Sequence, residues 1–227
     1  LDPDAAGARA DARARGDADD LGEVLTWPQG NGWLIERMAR PHQRAIVTGA
    51  MVTRVGPDSL DVWRVATDTV ERWDADVIVL AVPLFVAARL LTDPPRALGE
   101  ILPRLRYASW RVANVHVPEP LAERPGVPRA WDNVIHGDFA GGALGYVDAM
   151  HQSLRSRPGP TVLTSYFAFG GGAEPRRRLL EASWSQQADE VLAHLEQAHP
   201  DIRGRARRVD IMRWGHGMIS PRPGFIW

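Results

Sequence analysis

An α+β (α/β) fold is what this sequence predicts, on three observations. Short β-branched segments crowd residues 45–82, alternating segments recur between residues 110 and 169, and one apolar stripe of helical period runs through residues 176–198. The α/β part comes from a step out of a continuously apolar segment through Pro83 into Leu84–Leu91, since strand, turn and helix in that order form a crossover unit.

Taken in order, residues 1–22 hold six aspartates (Asp2, Asp4, Asp11, Asp17, Asp19, Asp20) and three arginines (Arg9, Arg13, Arg15) without apolar periodicity, which reads as a loose linker or lid. Glu23–Trp27 reads as a short strand, and Pro28-Gln29-Gly30-Asn31-Gly32 as a turn. Trp33–Arg40 reads as a helix with Leu34, Ile35 and Met38 on one side, ended by Pro41. Strands are expected at Ala45–Thr48, Met51–Val55, Leu60–Ala66, Val70–Trp73 and Asp76–Val82. The last is apolar throughout, the pattern of a strand buried on both faces in a parallel sheet.

Residues 95–105 read as helical and Trp110–Val117 as a strand. Prolines 118, 120, 125 and 128 make residues 118–130 an extended loop. Trp131–His136, Ala143–Ala149 and Thr161–Phe169 are further strands, expected in an antiparallel sheet. Leu180, Trp184, Ala188, Val191, Leu195 and Ala198 form one stripe, which predicts a single helix over residues 176–198 ended by Pro200. Arg207–Trp214 reads as a final strand and Gly215–Gly224 as a loop. Because the sequence starts at Leu1 and stops on the apolar Phe225-Ile226-Trp227, it reads as an internal piece of a longer protein.

Composition narrows the function classes. The chain has 227 residues, with 27 basic and 28 acidic side chains and a formal net charge of −1. That balance argues against a nucleic-acid binder, which needs a phosphate-facing basic surface. No apolar run approaches a membrane span, so no transmembrane segment is expected and the chain reads as cytoplasmic. Cysteine is absent, which removes disulfides, thiolate metal sites and cysteine nucleophiles. All basic residues are arginine, so lysine chemistry is absent too.

Few residues cluster in a catalytic pattern. Gly30-Asn31-Gly32 has two glycines of a dinucleotide-binding turn, but Ile35 stands where the fingerprint needs a third. The turn is then either a plain helix start or a place where exposed N–H groups meet an anionic part of a ligand. His216, between Gly215 and Gly217, is a candidate site residue, because backbone can approach a ligand closely beside glycine. The histidines lack metal-ligand spacing, so no metal is expected, and no Gly-x-Ser-x-Gly elbow exists. Trp27, Trp131 and Trp214 lie beside Pro or Gly turns, where each could be core or the wall of a flat pocket. Trp27, Asn31, Trp131 and His216 are the candidate contacts to a small-molecule substrate.

Three stretches, in order, resemble the flavin-containing amine oxidase superfamily, which includes phytoene desaturases and protoporphyrinogen oxidases. Leu25–Leu34 is similar to its Pro-x-Gly-Gly-x-x-x-Leu approach to a central helix. Ile46–Val55 resembles its x-Gly-x-x-Val-x-x-Ile strand, and Ala75–Pro83 its Ala-Asp-x-Val-Ile-x-Ala-x-Pro strand. The resemblance implies a partial FAD/NAD(P)-binding domain over residues 23–91, a substrate domain with a mixed or antiparallel sheet and covering helices over 92–213, and a return to the FAD domain over 214–227. It implies FAD as cofactor, with Val52, Ala81, Pro83, Trp214 and Gly217 as cofactor-binding residues. The family's N-terminal Gly-x-Gly-x-x-Gly unit has no counterpart here, nor does the lysine that amine oxidases proper place near flavin N5. The function implied is that of a fragment of an FAD-dependent oxidoreductase, amine-oxidase- or desaturase-like, oxidising a small organic substrate by hydride transfer to flavin. The alternative is a non-catalytic α+β binding module with a Trp-rich pocket.

Overall fold

Helix α1 (Asn31–Ala39) begins where expected, out of a turn in which Gly30 takes a φ of 64° that other residues rarely adopt. It passes into a short 3-10 turn, Arg40–His42, with Pro41 at its start, where a missing N–H costs nothing. The computed structural model describes residues 29–122, 126, 130–136, 142–153, 155 and 157–223. These fall into two compact units: Arg37–Tyr107 with the residues after Gly217, and Ala108–Gly217 with the residues before Arg37.

The first unit is built on an antiparallel meander of β1 (Ala50–Val55), β2 (Ser59–Arg64) and β3 (Thr69–Asp74). A register shift between Val52 and Arg54 bends β1. The β2–β3 turn places Asp68 at a φ of 53°, where its carboxylate accepts the Trp63 indole N–H at 2.9 Å. Helix α2 (Leu84–Leu90) follows Pro83, and Thr92 donates its backbone N–H to Val55 O, tying the helix end to β1. Helix α3 (Arg96–Ile101) and a 3-10 turn at Leu102–Arg104 complete the unit, and Phe85 meets Tyr107 edge to face.

The second unit carries a five-stranded sheet in the order β5-β6-β7-β4-β8. Its strands are β4 (Tyr107–Val117), β5 (Asp132–Asn133), β6 (Ala143–Asp148), β7 (Thr161–Gly171) and β8 (Arg208–Ile219). The β4–β7, β6–β7 and β5–β6 pairs are antiparallel, as expected. From Ser109 onward β4 alternates: Ser109, Arg111, Ala113, Val115 and Val117 are buried, and the residues between them are half-buried. The buried rows of β4 and β7 pack with α5 (Trp184–Glu196) and α6 (Ile202–Arg205) around Val115, Leu163, Phe167, Val191, Leu195 and Ile202. Helix α4 (Ala173–Glu181) adds Leu179, also buried.

The α+β class therefore stands, and several elements differ from expectation. Residues 45–48 form no strand, and Asp76–Val82 forms none either. Val77 and Val79 are 78% and 84% exposed, the reverse of a strand buried on both faces. An apolar run becomes a strand only where a neighbouring backbone takes its N–H and C=O groups, and among the described residues none is hydrogen-bonded to it as a sheet partner. The single helix over residues 176–198 is two helices, broken at Ala182-Ser183. Ser183 caps α5 by accepting from Gln186 N at 3.2 Å, while Gln186 Oε1 accepts from Ser183 N at 2.9 Å. This reciprocal cap outweighs a continuous stripe, and Leu180 and Trp184 of that stripe are exposed. Trp131–His136 shrinks to the two residues of β5.

The Gly215–Gly224 loop is also corrected. Strand β8 continues through Gly215, His216 and Gly217 to Ile219. The glycines let β8 lie close to its neighbours rather than loop away. A Cβ on Gly217 would stand 2.9 Å from Trp110 Cβ, and one on Gly215 would stand 3.0 Å from Arg176 Nε.

Candidate substrate-facing sheet and cofactor-side strand

One face of the five-stranded sheet is covered by helices; the other is half open. Register places Trp110 opposite Ala168, Val112 opposite Tyr166, Asn114 opposite Thr164 and His116 opposite Val162, so these side chains share the open face. Val147 pairs with Thr164, and Asp132 pairs with Val147, which extends the face to β5. On β8, Asp210 reaches the face through His116, while Ile211 packs toward the core, so alternation sets Met212 and Trp214 on the open side. Trp214 is 56% exposed.

The face is chemically graded. Toward the Gly171 end of β7 it is aromatic and aliphatic, with Trp110, Val112 and Tyr166 in adjacent rows. Trp110 Nε1 is buried without a hydrogen-bond partner among the described residues, an unpaid polar group on this surface. In the middle, Thr164 Oγ1 donates to Asn114 Oδ1 at 2.9 Å, so the Asn114 amide N–H groups remain to meet a ligand. Burial, and then the charge of Asp132, raise the Tyr166 phenol pKa, so Tyr166 keeps its proton and can donate it in a hydrogen bond. At the far end His116 Nε2 lies 2.8 Å from Asp210 Oδ2. The Asp210 carboxyl is held below its ordinary range first by the Arg208 hydrogen bond, which outweighs desolvation, and then by His116.

The residues singled out from sequence fall on both units. Trp214, His216 and Gly217 lie on β8, Trp131 lies beside β5 and is 46% exposed, and Asn31 opens α1. Val52 is half-buried on β1, while Ala81 and Pro83 are exposed ahead of α2. Trp27 lies outside the described residues. Trp110, Asn114, Thr164, Tyr166 and the His116–Asp210 pair were missed. The signal was present as alternation along residues 110–116, but which of the two alternating rows faces the helices is decided by packing partners distant in sequence. Among the described residues no group of His, Asp and Glu side chains is placed to hold a metal ion, and no helix is long and apolar enough to cross a membrane.

The model of the flavin-containing amine oxidoreductase family matches residues 1–223. The chain belongs to this family. Among solved structures, a putative protoporphyrinogen oxidase from Exiguobacterium sp. 255-15 superposes with a TM-score of 0.59 at 19% identity, covering 93% of this chain and 46% of that one. Cyclohexylamine oxidase from Brevibacterium oxydans IH-35A gives 0.55 at 13% identity, covering 83% and 39%. An A394C-A396T-Q431G variant of putrescine oxidase gives 0.54 at 15%, covering 81% and 38%. These likenesses establish a shared fold, and the chain spans less than half the length of each. No curated protein matches the sequence.

A flavin is the cofactor this family implies, and the described residues meet it only in part. Val52 offers a strand backbone of the kind that can lie along a flat ring. Among the described residues no three-glycine turn is placed to cradle a pyrophosphate: α1 starts at Asn31 with Gly32 behind it, and Ile35, where the third glycine belongs, is an exposed helical residue. Taken alone, these residues do not fit a tightly held dinucleotide.

Proposed function

We propose that this chain is the middle portion of an FAD-dependent oxidoreductase that oxidises a small organic substrate by hydride transfer to the flavin. In this reading the β1–β3 unit contributes the adenine side of the cofactor site through Val52, and the Ala81–Pro83 segment belongs to the same cofactor domain. The open face of the five-stranded sheet meets the substrate. The single observation that carries the reading is the exposed apolar segment Asp76–Val82. It has the composition of a central strand, with no sheet to receive it among the described residues. Membership of the flavin family supports the cofactor class.

The roles of the chain's own side chains follow from their chemistry. Trp110, Val112, Met212 and Trp214 present an apolar wall that excludes water from a substrate laid against it. Tyr166 and the Asn114 amide offer directed hydrogen bonds that orient its polar end.

The test is mutational, on the longest natural form of the protein that carries bound flavin. Val52→Asp sets a charge against the adenine side and should lower flavin absorbance per protein. Trp214→Ala should leave flavin content unchanged and reduce turnover. Full flavin retention by Val52→Asp, or unaltered turnover by Trp214→Ala, would remove the corresponding assignment.

A further inference from the structure

Strand pairing draws one line of side chains across the open face. Asp132 on β5 stands opposite Val147 on β6, Val147 opposite Thr164 on β7, and Thr164 opposite Asn114 on β4. Thr164 Oγ1 donates to Asn114 Oδ1 at 2.9 Å, so the amide oxygen is taken and the two amide N–H groups are left without a partner among the described residues. Tyr166 lies in the next row, diagonal to Asn114, opposite Val112 on β4 and Gly145 on β6. Gly145 adds no side chain beside it. The Tyr166 phenol also lacks a hydrogen-bond partner among the described residues. Neither Asn114 Nδ2 nor the phenol oxygen is closed off from water in the way that Trp110 Nε1 is. Diagonal neighbours on one face of an antiparallel pair lie within reach of long and aromatic side chains, so both donors can serve one polar group.

The charges around these donors are uneven. Asp132 is exposed, has no ion-pair partner among the described residues, and is near enough to raise the Tyr166 pKa. No arginine stands in the Asn114 row or the Tyr166 row on β4 to β7. In the row beyond Asn114, His116 is engaged with Asp210. These features select among ligand groups. An ammonium carries only donors, and at Asn114 it would set N–H against N–H. A carboxylate accepts from Asn114 and Tyr166, but it meets the Asp132 charge with no cation beside it to offset the repulsion. A neutral carbonyl oxygen accepts from both donors and brings no charge.

Resting on the open-face reading above, we propose that the substrate is a neutral carbonyl compound, a ketone, ester or amide, whose oxygen accepts from Asn114 Nδ2 and Tyr166 Oη. Its apolar body lies on Trp110, Val112 and Trp214. Asn114 and Tyr166 are then the residues that set specificity, and Thr164 positions the Asn114 amide.

Calorimetric titration of the longest natural form of the protein with acetophenone, benzylamine and benzoate tests this, since the three share a ring and differ in the polar group. Acetophenone should bind at least about tenfold more tightly than either of the others. Tyr166→Phe keeps the ring and removes the O–H; it should weaken acetophenone about fivefold and leave benzylamine unchanged. Asn114→Asp replaces a donor with a charged acceptor; it should weaken acetophenone about tenfold and turn the preference toward benzylamine. If Asn114→Asp does not fold, Tyr166→Phe decides, and an unchanged acetophenone affinity overturns the assignment. Trp214→Ala separates this inference from the reading beneath it, because it removes a wall that all three ligands share. Weakening of all three by Trp214→Ala, with benzylamine or benzoate bound as tightly as acetophenone in the unaltered protein, keeps the open face as the substrate surface and overturns the carbonyl assignment. Binding of none of the three, or affinities that Trp214→Ala leaves unchanged, overturns the open-face reading and the assignment with it.

Discussion

Gly142 shows how a single residue sets the approach of β6 to β7. Its φ is 74°, and a Cβ there would stand 1.9 Å from the Ala168 carbonyl oxygen, which is backbone and cannot swing aside. Gly142→Ala should therefore cost roughly 1–3 kcal/mol, read from the denaturant midpoint at unchanged slope. His194 sets a second residue-scale expectation. It is fully buried against Phe167, and burial first, then the charge of Arg111, push its pKa below the ordinary histidine value. The unfolded chain then binds the proton more readily than the folded one. The stability this residue contributes is complete above the unfolded value, about 6.5, and is lost as pH falls below it. His194→Leu should flatten the stability–pH slope between about pH 7 and 5 relative to wild type; an unchanged slope would assign the acid sensitivity to other groups. Neither residue was legible beforehand. A glycine next to Gly141 and a histidine in a helical sequence look ordinary until the strand or ring they press against is known. Trp214, by contrast, was visible as a tryptophan beside a glycine, and it does sit on an open surface.

At the scale of elements, the strands of the five-stranded sheet were legible because alternation survives in sequence wherever one face is buried and the other is wet. The break between α4 and α5 was not, although Ser183 and Gln186 carry the capping-box spacing in plain view. The stripe from Leu180 to Ala198 has helical period across the break, so periodicity and capping pointed in different directions and local hydrogen bonding decided. Ser183→Ala removes the acceptor for Gln186 N and should destabilise the second unit by about 1 kcal/mol. Ser183→Asp restores an acceptor and should recover most of that loss, a comparison that denaturant titration can make directly. The C-terminal part of β8, from Gly215 to Ile219, was missed for the opposite reason. Gly215 and Gly217 look like loop residues, yet their missing side chains let the strand pass beside Arg176 and Trp110.

For the whole molecule, the expectation that separates the readings concerns the cofactor and the segment Asp76–Val82. A strand is an agreement between two stretches of chain, and among the described residues this segment has no sheet partner, which is the sense in which it misled. Side-chain pattern announced a buried strand; backbone pairing, which lies in no one segment, withheld it. Exposed valines at 77 and 79, on a segment with no sheet partner among the described residues, leave apolar surface in water, which favours self-association. The three-glycine turn that would hold a pyrophosphate is missing from the same chain. Both facts predict that the 227-residue chain, expressed by itself, purifies colourless and tends to aggregate. Val77→Thr with Val79→Thr keeps strand propensity while lowering apolar exposure, and should reduce aggregation measured by light scattering without restoring flavin. In a longer natural form that retains flavin, the same double substitution should act in the opposite sense. There the segment would be buried in a sheet, and two hydroxyls placed in its core should lower the unfolding midpoint and the flavin content together. A chain that stays yellow through gel filtration would show that these residues grip the cofactor unaided, and an unaffected midpoint in the longer form would show that the segment never enters a sheet.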